Sequence, residues 1–275
     1  MRRKVLANGM VYAASALVLL LFLAPILWVL VISFKLRKDI FTWPPSIVDF
    51  APTLANYANV LSGSGKFVSF IGNSVIVALV STAIALTVGT LGAYGLSGRR
   101  KPRSVAMSYW MLSFRMMPPV ALVIPYYVLF QQAGLLGHLG AIALTHSVFS
   151  VAIVLWMTKS FFDEIPPEIE EAALIDGASD WQVFRLVVMP IAKAALAASA
   201  IFAFITSWNE FLFAVILSKS STYTVPVAIS TFVGEVYVSW GELAAATILA
   251  ILPALVIAFL GQRYLLVGLA PGAVK

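Results

Sequence analysis

Very few side chains in this 275-residue sequence are equipped for bond chemistry. It contains no cysteine, which excludes disulfides, iron–sulfur clusters and thiolate metal sites. Its two histidines, His138 and His146, stand eight positions apart, poor spacing for two metal ligands on one helix. Their plain reading is two ordinary polar side chains near a membrane interface. No H-E-x-x-H pair, no Ser/His/Asp constellation and no G-x-x-x-x-G-K-[ST] phosphate loop occurs. The chain is expected to catalyse no reaction itself and to bind neither metal nor cofactor.

The remaining chemistry is binding chemistry. Arg115 and Glu210 carry charge within otherwise apolar runs, where charge is expensive and usually faces a cavity or a partner. Two arrangements fit: the pair bonds to each other, or each lines a polar path. A third places either one near an interface, where a long side chain snorkels. Around Glu210 the sequence reads SWNEFLFA, Ser207–Ala214. An indole such as Trp208 suits the C–H face of a sugar ring, and Asn209 and Glu210 can bond hydroxyls. Tryptophan in a span is also a common packing or anchoring residue. Asn73 and the RMMPP break, with Pro118 and Pro119, are further candidates, since proline frees backbone groups that are tolerated where a helix lines a cavity.

These residues are set in a chain that is 61% hydrophobic and 11% charged, against roughly 25% charged for soluble domains. That balance describes a polytopic membrane protein. A spanning helix needs about 20 mostly apolar residues, and six candidates occur, at 10–34, 70–96, 105–131, 139–158, 191–217 and 243–262. The first follows MRRK, but its apolar run is too long for a typical signal peptide and no small-x-small site closes it, so it reads as a retained helix. With the N-terminus inside, the inner segments hold Arg2, Arg3, Lys4, Arg99, Arg100, Lys101, Arg103, Lys159, Arg185, Lys193, Arg263 and Lys275. The outer segments hold only Lys35, Arg37, Lys38, Lys66 and Lys219. This bias puts both termini in the cytoplasm. It also explains the net charge of +6 as topology, leaving no nucleic-acid partner to invoke. Short helices are expected in the outer segments 35–69 and 218–241, and a tight connection at 133–140.

Between spans four and five, residues 159–190 form an acid-rich island on the inner side. It holds Asp163, Glu164, Glu168, Glu170, Glu171, Asp176 and Asp180, seven of the chain's twelve acids. Pro166-Pro167 followed by acids favours a helix start, so Glu168–Ile175 suits a short helix. Gly177 is the residue for a left-handed C-cap. Ser179 with Gln182 has the form of a capping box, opening a second helix that runs toward Met189 and Pro190. The expected shape is helix, sharp turn, helix. By physics alone this could be a solvated loop; the small Ala172 and Ala173 would equally let a partner surface approach.

The spacing within the island supplies a resemblance. Glu171-Ala172-Ala173, three residues, Gly177, nine residues, Val187, one residue and Met189-Pro190 resembles the EAA loop of binding-protein-dependent ABC importers, E-A-A-x3-G-x9-I-x-L-P. Only Val for Ile and Met for Leu depart from it. With six spans, the SWNEFLFA segment and the tail QRYLLVGLAPGAVK, the whole chain resembles the second permease subunit of the maltose-type carbohydrate class. The resemblance implies an all-α, six-span permease with a cytoplasmic helix-turn-helix coupling loop, in the inner membrane of a prokaryote. It implies coupling through Glu170, Glu171, Ala172, Ala173, Asp176 and Gly177 to a cytoplasmic ATPase dimer, which uses the ATP and Mg2+. It implies a tail, Gly268, Pro271 and Gly272, that reaches the ATPase interface, though a frayed terminus fits equally. The implied partners are a second homologous permease, an extracytoplasmic solute-binding protein, a sugar and membrane lipid. The alternatives are a polyol or glycerol-phosphate cargo, a self-sufficient proton-coupled transporter using Glu210, and a membrane enzyme. The second leaves the island unexplained, and the third lacks clustered nucleophiles.

Overall fold

A computed structural model of the chain describes residues 2–62, 66–97, 102–113, 116–234 and 237–268. In chain order its helices are α1 (Arg2–Ser33), α2 (Arg37–Ile40), α3 (Ala55–Ser62), α4 (Phe67–Leu96), α5 (Pro102–Ser113), α6 (Pro119–Gln132) and α7 (Leu139–Phe162). Then come α8 (Pro167–Ile175), α9 (Asp180–Gln182), a π-helical segment Val183–Val188, α10 (Met189–Ile191), α11 (Lys193–Trp208), α12 (Leu212–Leu217), α13 (Val225–Ser230) and α14 (Trp240–Gly268). Among the described residues the only β pairing is an isolated bridge, Val233 to Val238. The fold is all-α.

Asn8–Ser33, Phe67–Leu96, Leu139–Phe162 and Trp240–Tyr264 are each long and apolar enough to cross a bilayer. A fifth crossing is available from Asp180–Ile191 with Lys193–Trp208, a pair bent by 78° at Ala192. The third expected span, 105–131, is two helices, α5 and α6, each too short to cross alone. Pro118, extended at ψ 120°, stands at the N-terminus of α6 with Pro119 as its first residue, because proline cannot continue a helix but opens one well. The fifth expected span, 191–217, is broken as well: α11 ends at Trp208 and α12 begins at Leu212.

The chain forms two compact units. One comprises Met1–Val68 and Ile229–Leu252. Here the segment after α1 is tied down by side chains. Asn56 donates through Nδ2 to the Ser33 and Lys35 carbonyls, each at 2.9 Å. The Lys35 ammonium is buried, bonded to the Ser46 carbonyl and set over the rings of Trp28 and Phe50 at 5.5 and 5.0 Å, so its charge is met by aromatic faces. Asn59 donates to Glu242 Oε1 at 2.9 Å. Most of α1 is apolar on every face, and the core of its apolar run is wholly uncovered by the chain.

The other unit comprises Ser69–Ala228 and Pro253–Lys275. Its centre is α7 packed on α11 and α4, with Ala85, Val154 and Ala203 buried together. Small residues allow this closeness, as is usual between helices in lipid. At Gly89 an added Cβ would stand 2.8 Å from Val154 Cγ1 and 3.1 Å from the Leu155 backbone nitrogen. A second core gathers Val77, Phe130, Ile142, Phe213, Leu217 and Val227 around α12. The tight connection at 133–140 turns through Gly134 and Gly137, both at positive φ.

Candidate functional site

The hairpin at 167–191 is set by local chemistry. Pro167 occupies the first turn of α8, with Glu168 and Glu170 at its positive end. The helix closes in a Schellman motif: Ala178 N–H donates to Ala173 O and Gly177 N–H to Leu174 O, each at 3.0 Å. Gly177 carries the left-handed residue of that motif, φ +88°. The next helix opens on the expected capping box, with Ser179 N–H donating to Gln182 Oε1 at 2.7 Å and Gln182 N–H to Ser179 Oγ at 3.4 Å. The expectation of one plain helix up to Met189 gives way to a π-helical stretch, Val183–Val188, before α10 and the bend at Ala192.

Beneath the hairpin lies a core of Ala93, Leu155, Phe162, Ile165, Val183, Phe184, Val188 and Ala192. Ala173 packs against it while Ala172, Glu171 and Asp176 are exposed. Small side chains at 172 and 173 thus serve opposite faces. Tyr94, at the end of α4, lays its ring 4.7 Å from Phe184 and edge-on to Phe162 at 6.1 Å. Its hydroxyl donates to Glu170 Oε2 at 3.4 Å. On the open side the hairpin shows Ile175, 86% exposed, with Trp181 and Leu186 also exposed.

The second cluster lies at the break in span five. Asn209 ends α11, its Nδ2 donating to Ile205 O at 3.0 Å, and it is exposed. Trp208 is buried and stacked on Phe204 at 5.9 Å. Glu210 turns its carboxylate onto the start of α12, accepting from Phe213 N–H at 3.0 Å and Ala214 N–H at 3.1 Å. Its partner in space is His146, whose Nε2 lies 2.9 Å from Glu210 Oε2, off the line of a straight hydrogen bond. The ring's Nδ1 shares a hydrogen bond with Ser207 Oγ at 2.9 Å. The structure corrects the interfacial reading of His146, which is 2% exposed and sits within α7.

Asn73 stands apart from that cluster. Its Nδ2 donates to the Ser221 and Tyr223 carbonyls at 3.1 and 3.0 Å, and the neighbouring Ser74 Oγ accepts from Val225 N–H at 2.7 Å. Pro118 is exposed at the head of α6. Arg115 lies outside the described residues, as do Pro271 and Gly272; Gly268 closes α14. Among the described residues no group of three His, Asp or Glu side chains gathers as a metal site.

Sequence reasoning missed His146, Ser207 and Tyr94. A histidine inside an apolar run is by itself a functional signal, and His146 carried it. Tyr94 carried none, since the residues its ring and hydroxyl meet, Phe162, Phe184 and Glu170, are distant in sequence.

Residues 85–267 match the family model described as binding-protein-dependent transport system inner membrane component. The chain is 35% identical over 254 residues, 92% of its length and 91% of the relative's, to a probable ABC transporter permease protein, y4oR, of Sinorhizobium fredii. It is 30% identical to the trehalose/maltose transport system permease protein MalG of Thermococcus litoralis, covering 100% of this chain and 99% of that one. Among solved structures it resembles a chain of a bacterial ABC transporter involved in import of the acidic polysaccharide alginate. There the TM-score is 0.76 at 21% identity, covering 96% of this chain and 98% of the other.

Proposed function

This chain belongs to the family of binding-protein-dependent transport system inner membrane components, the permease subunits of ABC importers, and from that premise we propose that its cargo is a carbohydrate. The trehalose/maltose permease at full-length coverage supports that choice of solute. The chain acts as a non-catalytic subunit. It works with a second homologous permease, a cytoplasmic ATPase dimer that consumes ATP and Mg2+, and an extracytoplasmic solute-binding protein.

The observation that carries the reading is the hairpin. Glu171, Ala172, Asp176 and the exposed Ile175 face outward from a turn that Gly177 fixes, while Glu170 and Ala173 face the chain's own core. The outward set seats in the ATPase, and movement there passes to α4, α7 and α11 through the aromatic core. The tail beyond Gly268 adds a second ATPase contact. The solute path takes in the break at Asn209–Glu210, together with Asn73, Pro118 and Arg115, while Trp208 packs behind the break on Phe204. Alternating access exposes that path to one side of the membrane at a time.

The test is reconstitution. The chain, its partner permease and its ATPase are placed in lipid vesicles, and ATP hydrolysis and uptake are measured with binding protein loaded with maltose or trehalose. Stimulated hydrolysis and accumulation of either sugar are expected. Stimulation by neither, with uptake of an amino acid instead, would overturn the carbohydrate reading.

A further inference from the structure

Span five breaks where there is neither proline nor glycine. The sequence across the break is Ser207-Trp208-Asn209-Glu210-Phe211-Leu212, and nothing local forbids a continuous helix. Something else must hold the ends apart. On the α12 side, Glu210 supplies both carboxylate oxygens to the amides of Phe213 and Ala214, which a continuous helix would have bonded to carbonyls one turn back. On the α11 side the chain ends with Ser207 and Trp208 in the helix and Asn209 as its cap.

One side chain touches both halves. His146, in the N-terminal third of α7, hydrogen-bonds through Nδ1 to Ser207 Oγ on α11 and sets Nε2 in close contact with Glu210 Oε2 at the head of α12, off the line of a straight hydrogen bond, each at 2.9 Å. The two ring nitrogens flank Cε1 in a rigid five-membered ring and point apart, so they fix a separation that a flexible side chain would not. The neighbours cannot take over. Thr145 and Ser147 spend their hydroxyls on their own helix, at Ala141 O and Leu144 O. The ring is also buried, so water does not compete for it.

We propose that His146 is a positioning residue of the transport path: it braces the two halves of span five across the break and so sets where the exposed Asn209 amide is presented. This rests on the reading of that break as part of the solute path. In this arrangement Glu210 is committed to holding α12 and is not the group that meets the solute. The carboxylate makes the break, and the imidazole fixes its width.

The test uses the full complex in lipid, with His146→Leu, which keeps bulk and removes both nitrogens, His146→Gln, which restores a donor, and Glu210→Gln. With sugar-loaded binding protein, His146→Leu is expected to lower the turnover of uptake by about tenfold. The half-saturating concentration of binding protein should stay within about twofold. His146→Gln should recover most of the turnover, and the His146→Leu/Glu210→Gln double variant should be no worse than the poorer single one. Wild-type turnover in His146→Leu, no recovery in His146→Gln, or additive losses in the double variant would each overturn the brace.

A second arm needs no sugar. The chain has no cysteine, so spin labels at Phe202→Cys and Val215→Cys report the separation of α11 and α12 directly. One narrow distance is expected in wild type, lost in His146→Leu and restored in His146→Gln. An unchanged narrow distance in His146→Leu overturns the proposal even if transport falls. Should no sugar stimulate the wild-type complex, the carbohydrate reading fails and the spin-label distances decide the brace. Should His146→Leu not assemble, comparing Glu210→Gln with His146→Gln/Glu210→Gln decides it: equal distance distributions support the brace, and a further broadening overturns it.

Discussion

At Gly177 the backbone stands at φ +88°, and no atom lies within 4 Å of where a Cβ would be. The requirement is therefore conformational and not steric. An L-residue there costs about 1–2 kcal/mol, least for asparagine, which tolerates the left-handed region. Gly177→Val is expected to loosen the turn and lower uptake per ATP hydrolysed several-fold, while Gly177→Asn keeps most of it. Parallel assays of hydrolysis and uptake check this; equal behaviour of the two variants would remove the role assigned to φ. Ala173 makes a different demand. It lies against the hairpin's core, so Ala173→Phe should push α8 off Phe184 and disturb coupling more than Ala172→Ser, which changes the open face. The same pair of assays separates them.

Among elements, the joint between α4 and the hairpin is the aromatic stack of Tyr94 on Phe184 and Phe162. Aromatic pairs of this kind contribute about 0.5–1.5 kcal/mol beyond their buried area. Tyr94→Phe keeps the stack and loses the long hydrogen bond to Glu170, so coupling should survive. Tyr94→Ala removes the stack and should let hydrolysis continue with much reduced uptake. Equal loss in both variants would shift the joint from the ring to the hydroxyl. Gly89 sets the closeness of α4 and α7, and Gly89→Val forces its methyls into Val154 and the Leu155 backbone. A penalty of about 1–3 kcal/mol follows, visible as a lowered melting temperature of the purified complex, with Gly95→Val, which meets nothing within 4 Å, as the neutral control.

How much of these elements could be read beforehand depended on what held them. The hairpin is written in neighbouring residues: Pro167 starts it, Gly177 turns it, and Ser179 with Gln182 restarts it. The interruption at Pro118-Pro119 is equally local. The break after Trp208 is only half legible: Glu210 caps the amides of Phe213 and Ala214 locally, while the histidine that meets Ser207 stands 61 positions away in sequence. The π-helical stretch VFRLVV has no composition of its own, though Phe184 and Val188 within it are buried in the hairpin's core. Trp208 shows the limit from the other side. Its type suggested a sugar-stacking face, and the fold stacks it on Phe204 instead.

Across the whole molecule, composition and charge placement spoke most clearly. The uncovered apolar surface of α1 fits only lipid or a partner's apolar helix. The lysine and arginine bias gives an orientation that can be checked directly. A green fluorescent protein fused after Lys275 should fluoresce, and alkaline phosphatase fused at the same point should be inactive; the reverse pattern would invert the topology and place the hairpin on the side without ATP.

The contact between His146 and Glu210 also bears on how the chain enters the bilayer. An acidic residue at the centre of an isolated span costs about 2.5–3.5 kcal/mol on insertion. Synthesis runs from the N-terminus, so α7 and its imidazole are made before Glu210 leaves the ribosome. Glu210 therefore arrives where the imidazole it contacts has already been made. Order along the chain becomes order of assembly, and the fifth crossing is the one that needs its predecessor most.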